Sequence, residues 1–247
     1  MKAVRNDTAA IVLAAGRGTR MHTAVAKQFL LLDGKPLIYY SLRAFEESPV
    51  ERIILVCREG ESSWCRTEII GRFGFKKVTA IVCGGKERYH SVYAGLCAAG
   101  ESLSDRGLVL IHDGARPLIA RTVIERTMEE AAQYQACVAA MPVKDTIKTA
   151  DAERFAEKTL DRSRLWQIQT PQVFSYGLVK GAYDRMLTDP RYQKGVTDDA
   201  MVVETMTGVR VRLVEGGYEN IKVTTPEDLI LAEALLKHEG ACSGKDA

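Results

Sequence analysis

The chain has 247 residues, with 34 Lys plus Arg against 32 Asp plus Glu (net charge +2) and 46% hydrophobic residues. That composition supplies a core and excludes a disordered chain, while the balanced charge excludes a generic nucleic-acid or membrane-surface binder. The apolar runs are strand-sized, far below the roughly 20 residues of a membrane span, and the short polar stretch Met1–Thr8 leads straight into a strand with no signal-peptide pattern.

Ala9–Ala14 reads as a buried strand and Pro36–Phe45 as a helix with proline in its first turn. Arg52–Cys57 is a second strand, Ser62–Phe73 a helix and Val78–Cys83 a third strand. Arg88–Ala99 has helical period, Leu108–His112 is a fourth strand, Thr122–Tyr134 a helix and Ala136–Ala140 a fifth strand. Strands that are continuously apolar and separated by helices predict an α/β fold, a mostly parallel sheet covered on both faces. The rhythm breaks after Pro142. Val143–Thr149 and Glu157–Leu160 are short, polar and β-prone, with Ala150–Arg154 between them, which predicts a projecting hairpin. A lone hairpin is marginal, so this arm (about 142–165) is expected to pack on something, such as a second subunit. Helices return at Tyr176–Leu187 and Asp199–Met206. Val209–Val214 alternates like an edge or mixed strand, and Pro226–His238 is a final helix with acids in its first turn. The chain reads as one domain over 1–240, with Ala241–Ala247 as a frayed tail.

Six cysteines lie mostly in apolar runs without a CxxC pair, and four histidines show no metal-ligand spacing. Reduced, buried thiols in a cytoplasmic protein are expected, without a zinc site.

The first strand ends in Ala14-Ala15-Gly16-Arg17-Gly18-Thr19-Arg20-Met21, followed by Lys27. Glycines that bare the backbone, with cations at the carboxyl end of a strand, describe a polyphosphate cradle. No GK[ST] follows, so it is not a Walker loop, and Met21 stands where the dinucleotide fingerprint needs its last glycine. Gly84-Gly85-Lys86-Glu87-Arg88 follows the third strand, with Ser91 one helical turn in, and its backbone N–H groups are candidates to read a base or phosphate. Asp113, in His112–Pro117 at the end of the fourth strand, is a candidate Mg²⁺–nucleotide ligand. Asn220–Thr224, before the last helix, brings a second lysine, Lys222.

Together AAGRGTRM with Lys27, GGKERYHSV, HDGARP, TPQVF, TDDA and ENIKVTTPEDL resemble, in order and spacing over about residues 8–238, the 2-C-methyl-D-erythritol 4-phosphate cytidylyltransferases. The resemblance implies a Rossmann-like nucleotidyltransferase fold whose β-arm clasps a partner in a homodimer. It also implies transfer of a cytidylyl group from CTP, with Mg²⁺, to 2-C-methyl-D-erythritol 4-phosphate in the non-mevalonate isoprenoid pathway. It places Arg20, Lys27 and Lys222 around the triphosphate as the catalytic cations. Ala14, Ala15, Gly16, Gly18, Gly85 and Ser91 then hold CTP, with Asp113 near the ribose and metal. Arg162, Thr170 and Thr197 hold the sugar phosphate, and Arg116 and Thr146 reach in from the partner subunit. Gly114 stands where many relatives have alanine, which should only loosen the turn. An anionic nucleophile needs no general base, which agrees with a site of Arg and Lys lacking a Ser–His or paired-carboxylate constellation. Two other readings share the nucleotide site: a D-ribitol 5-phosphate cytidylyltransferase and a non-catalytic nucleotide-binding protein.

Overall fold

A computed structural model describes residues 7–16 and 26–243. Its centre is a seven-stranded sheet. The strands in chain order are β1 (Thr8–Leu13), β4 (Arg52–Cys57), β5 (Val78–Cys83), β6 (Leu108–Asp113), β7 (Ala136–Pro142), β10 (Trp166–Ser175) and β11 (Arg212–Glu215). Between them lie the two-residue strands β2 (Leu31–Leu32) and β3 (Lys35–Pro36), and the pair β8 (Lys148–Ala150) and β9 (Ala156–Thr159). The helices are α1 (Leu37–Glu46), α2 (Ser62–Trp64, running on as a π-helix over Cys65–Gly71), α3 (Arg88–Ala99), α4 (Arg121–Tyr134), α5 (Tyr176–Thr188), α6 (Asp199–Thr207) and α7 (Pro226–Ser243). The sheet order is β11-β7-β10-β6-β1-β4-β5, and every pairing is parallel except the two made by β10.

The continuous apolar strands have the predicted consequence. Along β1, Ala10 and Val12 face one core with Leu42, Phe45, Ile124 and Met128 of α1 and α4, whereas Ala9 and Ile11 face the other with Val92, Leu96, Val179 and Tyr183 of α3 and α5. Both faces are therefore dry, and the strand ends are where polar ligands can meet the sheet. A third cluster, with Leu32, Leu37, Val223 and Ala232, seats α7 and fixes the segment that carries Lys222.

Some elements depart from expectation. Pro36 caps α1 from outside instead of filling its first turn. Ser62–Phe73 is helical but contains the π stretch. The edge strand is shifted to Arg212–Glu215, and α7 continues to Ser243, past His238; residues 244–247 lie outside the described residues, as do 1–6. The largest omission is β10, a central strand that sequence reasoning left unassigned. It carries Gln167, Gln169, Gln172 and Pro171, and proline is normally kept from sheet interiors. Here its pairing with β7 is interrupted between Ile168 and Gln172, and Pro171 falls in that interval.

The arm exists as the antiparallel β8–β9 pair, and every residue from Lys144 to Thr159 is exposed. No helix among the described residues is long and apolar enough to cross a membrane. Cys57, Cys65 and Cys137 are buried free thiols, as expected, but Cys83 and Cys97 are exposed. Cys83 ends β5, the sheet's outer strand, and Cys97 lies on the solvent side of α3, so neither is covered.

Candidate active site

A cleft of about 840 Å³ opens at the carboxyl ends of β1, β5 and β6, lined by Ala15, Gly16, Lys27, Gly84, Gly85, Ser91, Asp113 and Lys222 among others. Arg17, Gly18, Arg20 and Met21 of the Gly-rich loop lie outside the described residues. Ala14 is buried behind the cleft: its N–H donates to Val56 O at 2.7 Å and its carbonyl accepts from Gln28 Nε2. It fixes the loop's exit and leaves the lining to Ala15 and Gly16.

The two lysines, 195 positions apart in sequence, meet at this cleft. Lys27 Nζ donates to Val223 O at 3.2 Å, the carbonyl next to Lys222. Lys222 Nζ reaches Asp113 Oδ2 at 2.6 Å. The segment is pinned by Val223 N donating to Ala115 O at 2.8 Å and by Arg116, whose Nη1 donates to Asn220 O at 2.7 Å. Arg116 thus braces its own chain. Burial pulls its guanidinium below the usual range, and its Nε finds no partner among the described residues.

Asp113 sits inside a chain of alternating charge. Its Oδ1 accepts from Arg88 Nε at 3.2 Å, and Arg88 gives both terminal nitrogens to Asp199 at 2.9 Å each. Burial works to raise the Asp113 carboxyl, but Arg88 and Lys222 outweigh it and hold the group well below the ordinary carboxylate range. Asp113 is therefore ionised at any working pH. Arg88 and Asp199 were not singled out from the sequence. They stand within GGKER and TDDA, motifs that carried the resemblance but whose charged members received no role.

Thr170, expected at the sugar phosphate, turns inward. Only 4% exposed, its Oγ1 accepts from Asp113 N at 3.1 Å and lies 3.0 Å from His112 Nδ1. His112 is fully buried, with Nε2 3.2 Å from Arg116 O. A carbonyl can only accept, so Nε2 carries the proton and Nδ1 accepts from the Thr170 hydroxyl. Burial pushes the imidazole down to about 4, keeping it neutral. Thr170 and His112 therefore shape the Asp113 turn and do not face a ligand.

The Gly84–Gly85 loop also differs from expectation. Gly84 N donates to Cys57 O at 2.8 Å and Gly85 N to Ser91 Oγ at 3.1 Å, so these two N–H groups are satisfied inside the protein. The requirement for glycine is steric: a Cβ at Gly84 would lie 2.6 Å from Ser91 Oγ and 2.5 Å from Ala15 Cβ. The β1 and β5 loops approach because that atom is absent. Gly114 behaves similarly. A Cβ there would meet Ile38 Cδ1 and lie 2.9 Å from Leu13 O, so the glycine does more than loosen the turn: it lets it sit against β1, where alanine would wedge it away.

Arg162, Thr146 and Thr197 are all exposed and outside the cleft's lining. Arg162 borders a second recess at the base of the arm with Pro142, Asp161 and Trp166, and its Nη1 donates to Lys144 O at 2.6 Å. Thr197 stands just before Asp198, whose side chain caps α6 by accepting from Met201 N at 3.0 Å.

The family described as IspD, 2-C-methyl-D-erythritol 4-phosphate cytidylyltransferase, matches this chain over residues 8–238. A protein of that name from Lachnospira eligens is 53% identical over 229 residues, 92% of this chain and 98% of its own. One from Lachnoclostridium phytofermentans is 47% identical, over 92% of this chain and 95% of its own. Among solved structures, the 4-diphosphocytidyl-2C-methyl-D-erythritol synthase of Anaerococcus prevotii is similar at a TM-score of 0.79 and 30% identity, covering 94% of this chain and 96% of that one.

Proposed function

The chain belongs to the 2-C-methyl-D-erythritol 4-phosphate cytidylyltransferase family and transfers a cytidylyl group from CTP to 2-C-methyl-D-erythritol 4-phosphate, and from that premise we propose which of its side chains do the work. The products are 4-diphosphocytidyl-2-C-methyl-D-erythritol and pyrophosphate. The acceptor's phosphate oxygen attacks the α-phosphorus of CTP and pyrophosphate departs in line. Both reactants are anionic, so the barrier is one of bringing charge together and holding it, not of making a nucleophile.

CTP lies in the 840 Å³ cleft, its base against the Gly85–Ser91 loop and its triphosphate over Ala15 and Gly16. Arg20 and Gly18 belong to the same loop in sequence and are assigned to the triphosphate with it. Lys27 and Lys222 flank the α-phosphate. The convergence of these two lysines beside Asp113 is the observation that carries the reading. Negative charge grows on the non-bridging oxygens as the new P–O bond forms, and fixed ammonium groups favour that state over bound CTP.

The residues fit a magnesium ion through Asp113. No group of three or more potential metal-ligating side chains stands together among the described residues. Mg²⁺, however, is commonly held by one or two carboxylates plus substrate phosphates. Each Asp113 oxygen has one cationic partner and keeps a second lone pair. When bound there the ion would offset repulsion between the triphosphate and the incoming phosphate.

The acceptor is assigned to the side of the cleft toward Arg162 and Thr197, with Thr146 supplied by the partner of a homodimer joined through the arm, while Arg116, expected to reach across, braces Asn220 of its own chain. The exposed apolar Ile147 (37%) and Phe155 (68%) on an arm with no core of its own support that assembly. The free thiols among the described residues fit a cytoplasmic setting. Pyrophosphate release from CTP with Mg²⁺ and the acceptor tests the assignment. Lys27→Ala and Lys222→Ala should each lower kcat by about 10²–10³ while KM for CTP changes much less. A raised KM with near-normal kcat would make both lysines simple anchors.

A further inference from the structure

Asp199 lies beneath the cleft and does not line it. Its side chain is fully buried, yet it is held from three elements. Arg88 of α3 gives it Nη1 and Nη2 at 2.9 Å each, and the Tyr183 hydroxyl of α5 donates to Oδ1 at 2.6 Å. From β10, Gln172 Oε1 accepts from the backbone N–H groups of Asp199 at 3.0 Å and Ala200 at 2.9 Å, while Gln172 Nε2 donates to Asp198 Oδ2 at 2.9 Å. A buried carboxylate is costly unless its partners are this complete.

What this arrangement controls follows from the shape of guanidinium. Its N–H groups form a rigid planar fork. With its end-on fork on Asp199, Arg88 is held where only Nε reaches Asp113, at 3.2 Å on Oδ1. Asp113 Oδ2 is thereby left to Lys222 at 2.6 Å. Without the Asp199 charge, the freed fork has Asp113 as its remaining carboxylate. A two-pronged pair between Arg88 and Asp113 would turn the carboxylate to face the fork and draw Oδ2 out of the position in which it holds Lys222.

We propose that Asp199 is a positioning residue for cytidylyl transfer: by holding the terminal nitrogens of Arg88 it keeps Asp113 shared, and so keeps Lys222 at the α-phosphate. The proposal rests on the catalytic role given to Lys222 above. The same residue ties the nucleotide cradle to the start of α6, two positions after Thr197, so the two halves of the site are set by one carboxylate.

The experiment is a double-mutant cycle on the full-length enzyme, read as kcat and KM for CTP by pyrophosphate release. Asp199→Asn should lower kcat by about 10²-fold, the scale of a misplacement of about 1 Å, with KM for CTP moved less than about threefold. In a Lys222→Ala background the same change should cost nothing further, because the group it positions is gone. Tyr183→Phe removes one bond to Asp199 and keeps the charge. It should show a smaller fall in kcat with the same dependence on Lys222, and it decides the matter if Asp199→Asn does not fold. Equal losses from Asp199→Asn with and without Lys222 overturn the proposal, as does a rise in KM alone. Normal kcat in both Asp199→Asn and Tyr183→Phe, with Lys222→Ala slow, overturns it while leaving the lysine's role intact. Normal kcat in Lys222→Ala removes both.

Discussion

His112 gives the fold a pH dependence that can be worked out from its surroundings. The imidazole is fully buried under Phe45, whose ring meets it edge-on at 5.2 Å, and its two nitrogens are committed to Thr170 and Arg116 O in the neutral state. Burial pushes it down to about 4 from an ordinary value of 6.5. The unfolded chain therefore takes up this proton near pH 6.5, and the folded one only near pH 4. Stability from the neutral ring is complete above pH 6.5 and is lost as the pH falls from there toward 4. The full loss is about 3 kcal/mol, and about 2 kcal/mol of it falls between pH 7 and pH 5. Urea unfolding of the wild type and of His112→Asn at pH 7, 6 and 5 isolates the effect, since carboxylate contributions common to both cancel. The variant should start less stable and lose about 2 kcal/mol less over the interval. Parallel losses would show that the ring titrates alike in both states, and the neutral, hydrogen-bonded assignment would fall.

Two further perturbations test the packing and the assembly. Gly114→Ala should destabilise by about 1 kcal/mol or somewhat more, because the methyl meets Ile38 and the Leu13 carbonyl; a calorimetric Tm unchanged from wild type would refute the steric reading. Phe155→Glu places a charge on the arm's exposed apolar tip and should shift a dimer toward monomer in sedimentation velocity, with activity falling in parallel; a wild-type sedimentation coefficient would argue that the arm does not hold the dimer.

The sheet's parallel part was legible because strands dry on both faces leave an unbroken apolar run, as in Ile53–Cys57 and Leu108–Ile111. Lys27 and Lys222 were legible because each accompanies a motif of the resemblance, the Gly-rich loop after β1 and ENIKVTTPEDL. Strand β10 was not, since its burial is of polar groups. Gln169, Thr170 and Gln172 are buried by hydrogen bonding to distant partners: Gly217 and Asn220, Asp113 and His112, and Asp198 and Asp199. No local periodicity reports such pairing. Arg88 and Asp199 were hidden similarly. An arginine at the start of a helix and an aspartate just after a cap read as surface charge until the fold closes 111 positions between them.

That hidden strand also explains how a site assembled from so many loops holds its shape. β10 runs against the direction of its neighbours β6 and β7, so the stretch around its interrupted pairing lies beside the carboxyl end of β6. From there Thr170 grips the backbone of Asp113, and two residues later Gln172 grips the backbone of Asp199. Arg88 then joins the two carboxylates by their side chains. Asp113 and Asp199 are thus each fixed twice, once by the strand between them and once by the guanidinium above. The two carboxylates are thereby referred to one short stretch of β10, Thr170 to Gln172, and not only to the long loops that precede them. Lys222 pairs with Asp113, so the lysine near the chain's end that we propose as a catalytic cation is tied to a strand near its middle.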